Sequence, residues 1–343
     1  MQFDWLTIDS LRDVESHYAP AFSVALDVCR ACADSDYQNA DKAHSLIFDE
    51  IISNQQIEWG SALADQFLIW REDIPPTLPA FLAMACDYFD IDDNHPLLNV
   101  ALAACVLGET VHDNQFHNTN HFREVMVVTM RLCATWNMIT DNADIRFYAA
   151  DILLLIIAAG IHDFAHDGMS NVRDGVHVPS FLERRAIDNA APFLIAAGIS
   201  DVDLLSVQNL VIATDVSVDK DGNSPAKKIQ KIVRHHLEGQ PVTDDIDNFF
   251  MNNAKLSIMA LILSEADITP STGLSYDFSK IMTRYIAAED NDLEPTAATL
   301  DGFMTTTCKK RYTSPATRHL MMENFTKISL EASIDSENNV SYI

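Results

Sequence analysis

Apolar residues return at helical spacing almost everywhere along this chain, and strand-like alternation of any length is missing. Phe122, Val125, Met126, Leu132, Cys133 and Trp136, for example, fall on one stripe of a helix. Glycine and proline, which would punctuate a turn-rich β fold, number only 10 and 12 in 343 residues, roughly half their average share. With 48% hydrophobic residues, the pattern predicts a compact all-α protein of about a dozen or more helices with no large sheet. Turn chemistry concentrates in REDIPPTLP (71–79), DIDDNHP (90–96), DKDGNSP (219–225) and DITPSTG (267–273), which read as loops or helix starts.

The charge balance narrows the function classes. Lys and Arg number 23 against 50 Asp and Glu, a net charge of −27, so the chain repels polyanions. Neither nucleic acid nor an anionic membrane is an expected partner. Residues 1–16 have no basic n-region and no apolar h-region, and the longest apolar run, Ile152 to Ile161, is about half of a membrane span. Six cysteines are scattered through apolar helical pattern, including the lone CxxC of Cys29 and Cys32. They read as core thiols in a reducing, cytoplasmic compartment.

No internal repeat or low-complexity stretch is visible. Histidines are sparse before residue 95 and concentrate with Asp and Asn beyond it. Residues 1–95 therefore read as a helical N-terminal subdomain, 96–330 as the part that carries chemistry, and 331–343 as a polar tail that frays.

Three His-Asp dipeptides occur, and chance alone supplies roughly one in a chain of this composition. His112-Asp113 stands alone and reads as surface chemistry. His162-Asp163 and His166-Asp167 lie together in IHDFAHDGMSN, directly after the apolar run DILLLIIAAG. His162 and His166, four residues apart, would share one helical face with Asp163 beside them, a spacing suited to metal ligation. Upstream, His117 and His121 form a second such pair at the opening of an amphipathic helix. Downstream, Asp267 stands at the expected end of an apolar helix, before a Pro-containing turn. His121, His162, Asp163 and Asp267 together offer two imidazoles and two carboxylates on three apolar helices. That set suits zinc, manganese or iron, with carboxylates able to bridge to a harder cation.

At this point the residues resemble the class I 3′,5′-cyclic nucleotide phosphodiesterases, all-helical members of the HD metal-dependent phosphohydrolase superfamily. FHNTNHFREV is similar to that family's YHNxxHAxDV, IHDFAHDGMSN to HDxxHPGxxN, FLERRAIDNAAPFL to xLExHHLxxxxxLL, VIATDVSVD to ILATDMSxH, and SEADITPST to HxADLSNPT. The five motifs stand in order between residues 116 and 272. The resemblance implies a compact multi-helix fold with a buried metal site, and two divalent cations, zinc with magnesium or manganese. It implies that His121, His162, Asp163 and Asp267 hold the tighter ion, with Asp163 bridging to the second. His117 would be the general acid, His166 and Glu183 would flank the nucleophile, and Thr214 and Asp215 would support them. The small-molecule substrate would be a cyclic nucleotide, cAMP or cGMP, with Asn171 among the residues that line its site.

The chain departs from that pattern in several places. Asp219 stands where the family has His, Asp167 where it has Pro, and Ser264 where it has His. The family clamps its purine with a glutamine three residues before a stacking phenylalanine, and no glutamine occurs here after Gln240. The best local match is TLDGFMTTT, with Leu300 in the glutamine's place and Phe303 as the stacking ring. Two other readings stay open: an HD-type phosphohydrolase acting on another nucleotide-like ester, and a non-catalytic nucleotide-binding module.

Overall fold

Sixteen α-helices account for nearly all regular structure in the computed structural model, which describes residues 3–36, 40–49, 55–73, 75–219, 222–242, 248–290, 293–308 and 312–342. The first eight are α1 (Trp5–Asp9), α2 (Ala19–Asp36), α3 (Ala40–Phe48), α4 (Gln56–Glu72), α5 (Leu78–Tyr88), α6 (Leu98–Gly108), α7 (Thr119–Ile139) and α8 (Ala149–Ile161). A two-stranded hairpin, β1 (Val172–Arg173) and β2 (Val176–His177), separates them from the rest. Then follow α9 (Phe181–Ala196), α10 (Asp201–Ile212), α11 (Pro225–Glu238), α12 (Asn248–Met251), α13 (Ala254–Thr272), α14 (Tyr276–Glu289), α15 (Ala297–Thr306) and α16 (Pro315–Glu337). None of the described helices is long and apolar enough to cross a membrane.

The most apolar helices lie at the centre. Every residue of α8 from Ile152 to Ile161 is buried, as is every residue of α6 except Asn99. Such helices have no polar face to turn outward, so they are surrounded by others. α8 packs against α6, α7, α10 and α13, and α7 against α13 and α16. The helices before residue 95 lie directly on this centre: α2 and α5 against α6, α3 and α4 against α7, and α4 against α16. One apolar core runs from Ile8 to Tyr342.

Helix starts follow the expected chemistry. Ser224 and Ser314 accept hydrogen bonds from Lys227 N and Thr317 N, with Pro225 and Pro315 in the first turns of α11 and α16. The turn signals at 71–79, 90–96 and 219–225 span junctions between helices or lead into helix starts, although residues 74 and 220–221 lie outside the described set. The fourth does not: α13 continues through Pro270 to Thr272, so Asp267 is an interior helical residue and not an end cap. Thr269 and Thr272 hydroxyls bond back to the carbonyls of Glu265 and Ile268, and this last turn packs on Tyr312, whose hydroxyl lies 2.8 Å from that of Thr272. Tertiary packing thus carries the helix past a residue that ordinarily breaks it.

The C-terminal segment also differs from expectation. It does not fray: α16 runs to Glu337, Thr296 bridges to Ser341, and Tyr342 is buried with its hydroxyl 2.9 Å from that of Tyr276.

Candidate metal and phosphoester site

Three helices converge on four side chains. Asn118 caps α7 by accepting a hydrogen bond from Asn120 N, which sets His121 in the first turn. α8 ends at Ile161, so His162 caps it and Asp163 follows in the turn beyond. α13 supplies Asp267. His121 Nε2 lies 3.0 Å from Asp267 Oδ1, 3.4 Å from Asp163 Oδ2 and 3.5 Å from His162 Nε2. His162 Nε2 lies 3.2 Å from Asp163 Oδ2 and 3.5 Å from Asp267 Oδ1.

These spacings fit a cation. Ligands about 2.1 Å from a tetrahedral ion stand about 3.4 Å from one another, close to the observed set. His162 Nδ1 donates to Ala159 O at 2.9 Å, so Nε2 is the ring nitrogen left to face the other three groups and to ligate a cation. The two imidazoles are sealed, whereas the carboxylates of Asp163 and Asp267 retain 14% and 19% exposure, so a ligand reaches the cluster from the carboxylate side. Burial opposes charge on His121, yet hydrogen bonds to Asp163 and Asp267 carry it up to about 9. His162 is raised well above its ordinary range against the same penalty, chiefly by the Asp163 charge. The paired carboxylates thus draw positive charge onto this point, which is the field a divalent cation would meet.

A second cluster adjoins the first. His117 Nδ1 lies 2.5 Å from Glu289 Oε2, and the backbone N–H groups of Phe116 and His117 both donate to Glu289 Oε1. The His166 ring stacks on His117, with centroids 3.8 Å apart and planes 16° from parallel. Burial, then the neighbouring His117 charge, holds His166 well below the usual imidazole range. Asn114 ties the two loops together by donating to the carbonyls of His117 and His166.

A third group centres on Asn171. Asn171 Nδ2 donates to Glu183 Oε2 at 3.1 Å and Asp215 Oδ1 at 3.2 Å. Asp215 also accepts from Ser180 N and from the hydroxyls of Ser180 and Ser217. Burial, then the Asp215 charge, pushes Glu183 up to about 8. Thr214 closes the end of α10 by donating to Val211 O.

The architecture around these clusters matches solved structures. The phosphodiesterase domain of the RhoPDE fusion protein from the choanoflagellate Salpingoeca rosetta superimposes with a TM-score of 0.54 at 16% identity, covering 88% of this chain and 98% of that one. LmjPDEB1, solved in complex with IBMX, gives a TM-score of 0.53 at 15% identity over 76% of this chain and 87% of its own. The chain has the phosphodiesterase catalytic-domain fold. No protein-family profile and no curated protein sequence matches it, so the phosphodiesterase likeness is carried by shape and by the short motifs.

Within that fold several sequence expectations change. Neither histidine pair four residues apart shares a helical face. His117 precedes α7, and Ala165, in the left-handed region at φ +63°, turns the chain after α8, so His121 pairs with His162 and His117 with His166. His112 is not a surface group. It is half-buried, with its ring 5.7 Å from that of Phe122, and burial lowers its pKa. Leu300 is sealed in the core at 2% exposure, and Phe303 is half-buried on the same helix, α15, which packs on α14 and α16. Asn171 is buried and committed to Glu183 and Asp215.

Sequence reasoning missed Glu289, which closes α14 and is 172 residues from His117. No local motif marks it. It also missed the hairpin, for which a signal existed: Asp174 and Gly175 form the two-residue turn at φ +52° and +75°, and Asp-Gly is a favoured pair for such turns.

Proposed function

We propose that the chain is a metal-dependent phosphodiesterase that opens a 3′,5′-cyclic nucleotide to the 5′-monophosphate. The observation that carries this reading is the adjacency of a two-imidazole, two-carboxylate cluster and a carboxylate-held histidine inside a phosphodiesterase fold. His121, His162, Asp163 and Asp267 would hold the tighter ion, zinc by its donor set, and Asp163 would reach a second, magnesium or manganese. When bound, such a pair lowers the pKa of a water toward about 7 and neutralises the phosphoryl oxygens. It also reverses locally the field of a chain whose net charge is −27.

The protein's own groups then perform the remaining steps. Glu289 accepts from His117 Nδ1, which fixes the ring. His117 Nε2 is left to deliver a proton to the departing O3′. His166 lies flat against His117 and limits where that ring can move. Glu183, whose pKa burial pushes up to about 8, is poised to donate or accept a proton near neutral pH. Residues 96–330 carry all of these groups, and we assign residues 1–95 a supporting role and the protein a cytoplasmic setting.

One departure favours a second reading. With no glutamine after Gln240 and Leu300 enclosed, the base edge has no amide partner from this segment, as suits an HD-type phosphohydrolase of another nucleotide-like ester.

Metal analysis of the purified protein, combined with hydrolysis of cAMP, cGMP and generic phosphodiesters, tests both. Bound divalent metal, activity on cyclic nucleotides lost on chelation, and joint loss of metal and turnover in Asp163→Ala are expected. Stacking and shape alone discriminate weakly, so kcat/KM for cAMP and cGMP should agree within about tenfold. Cleavage of other esters without cyclic nucleotide turnover would select the second reading.

A further inference from the structure

At the far end of α7 and α8 from the metal cluster lies a cavity of about 690 Å³, between the last turn of α5, the last turns of α7 and the start of α8. Asn137 on its wall is sixteen residues along α7 from His121, a separation of about 24 Å. The cavity is therefore distinct from the proposed catalytic site, and its volume suits a small ligand.

Its walls carry two exposed aromatic rings that are braced from behind. Tyr88, 43% exposed, stacks on Phe48 at 4.0 Å and 12° and meets Phe89 edge-on at 4.9 Å. Tyr148, 54% exposed, is backed by the Lys255 ammonium 4.9 Å from its ring centre, and that ammonium is itself held by Asp151 at 3.0 Å. Rings fixed in this way offer planar surfaces at little ordering cost.

The cavity also presents opposite charges that do not neutralise each other. Arg146 is exposed and makes no side-chain ion pair or hydrogen bond among the described residues, in a chain with 50 acids for 23 bases. Asp90 occupies the left-handed position after α5 at φ +52°, where Ile91 N bonds back to Cys86 O. That position favours glycine, and the end of a helix disfavours a carboxylate. Asp90 thereby places a carboxylate on the rim of the same cavity as Arg146.

We propose that this cavity binds a planar heteroaromatic anion bearing an amino group, of the class of a purine nucleoside monophosphate. The ring lies against Tyr88 and Tyr148, the anion meets Arg146, and the exocyclic amine donates to Asp90. No covalent step is involved, and the assignment stands whether or not the metal cluster acts on cyclic nucleotides.

Calorimetric titration of the full chain with AMP, in the presence of a chelator so that the metal cluster holds no cation, tests it. AMP should bind, adenosine and ribose 5-phosphate each about tenfold or more weaker. Arg146→Ala should lower AMP to the level of adenosine, and Tyr148→Ala should weaken both, while Tyr148→Phe keeps binding near that of the unchanged protein. Both residues are exposed, and thermal melts matching the parent would show the variants folded. No AMP binding at millimolar concentration, undiminished affinity in Arg146→Ala and Tyr148→Ala, or loss of binding in Asp163→Ala instead, would overturn the proposal.

Discussion

Glu289 receives three donors from one short stretch, the N–H groups of Phe116 and His117 and the His117 ring, so a single carboxylate sets both the backbone and the side chain of the proposed acid. His117→Ala should keep its metals, since His117 lies outside the four-residue cluster, yet lose about 10²- to 10⁴-fold in turnover. An aryl phosphodiester, whose leaving group needs no proton, should lose much less, and equal losses on both substrates would assign His117 a structural role. Glu183 makes a stability prediction. Its folded pKa of about 8 stands above the ordinary 4.5 because burial, then Asp215, disfavours its charged form. Between those values the folded state binds a proton that the unfolded state has lost, so its contribution is complete below about pH 4.5 and disappears as pH rises through 8. In chelator, Glu183→Gln should therefore raise the urea midpoint at pH 8 more than at pH 5, and a shift equal at both would count against the titration.

Between α8 and α9 the chain carries Asp163, His166 and Asn171 through a segment with three of the left-handed non-glycine residues, Ala165, Asp174 and Ser180. Strain of this kind persists only where surrounding contacts over-determine it. Asp215 holds Ser180, and Asp167 ties the segment to its surroundings: its Oδ2 lies 2.6 Å from Arg185 Nη1 on α9 and 3.0 Å from Arg173 Nη2 on the hairpin, and the Arg173 guanidinium sits 4.2 Å over the Phe181 ring. The clasp stands where the resembled motif places a rigid proline. All three side chains are partly exposed, so salt should weaken them. Asp167→Ala should lower metal affinity or turnover by roughly tenfold, and it should be less salt-sensitive than the parent. Equal salt dependence of the two in a turnover assay would remove the clasp from the mechanism.

Across the whole molecule, the central contact is the crossing of α6 and α8, where the chains touch backbone to backbone. A Cβ added at Gly108 would stand 2.7 Å from Gly160 O and 2.6 Å from Leu78 Cδ1, and one at Gly160 would stand 3.0 Å from Ala104 O. Since α8 ends on His162, separating these helices displaces a metal ligand as well as the core. Gly108→Ala should cost about 1 to 3 kcal/mol by overpacking and should also weaken metal binding. Gly302, inside α15, has nothing within 4 Å of its added Cβ, so Gly302→Ala should stabilise by up to about 1 kcal/mol through helix propensity. Urea unfolding of the two variants checks the opposite signs.

Helical periodicity is a local property, and it was sufficient to determine the helix class, the sealed α8 and the arrival of His121, His162, Asp163 and Asp267 from apolar helices. Turn residues marked the starts of α5, α6 and α11 for the same reason, because such residues act on their own first turn. Spacing could not say that histidines four apart would part company. That depended on α8 stopping at Ile161 and on the turn at Ala165. Nor could it extend α13 through Pro270, which rests on packing against Tyr312, or bring Glu289 to His117 across 172 residues. Those features arise where separate helices meet, and only tertiary packing decides which side chains share that space.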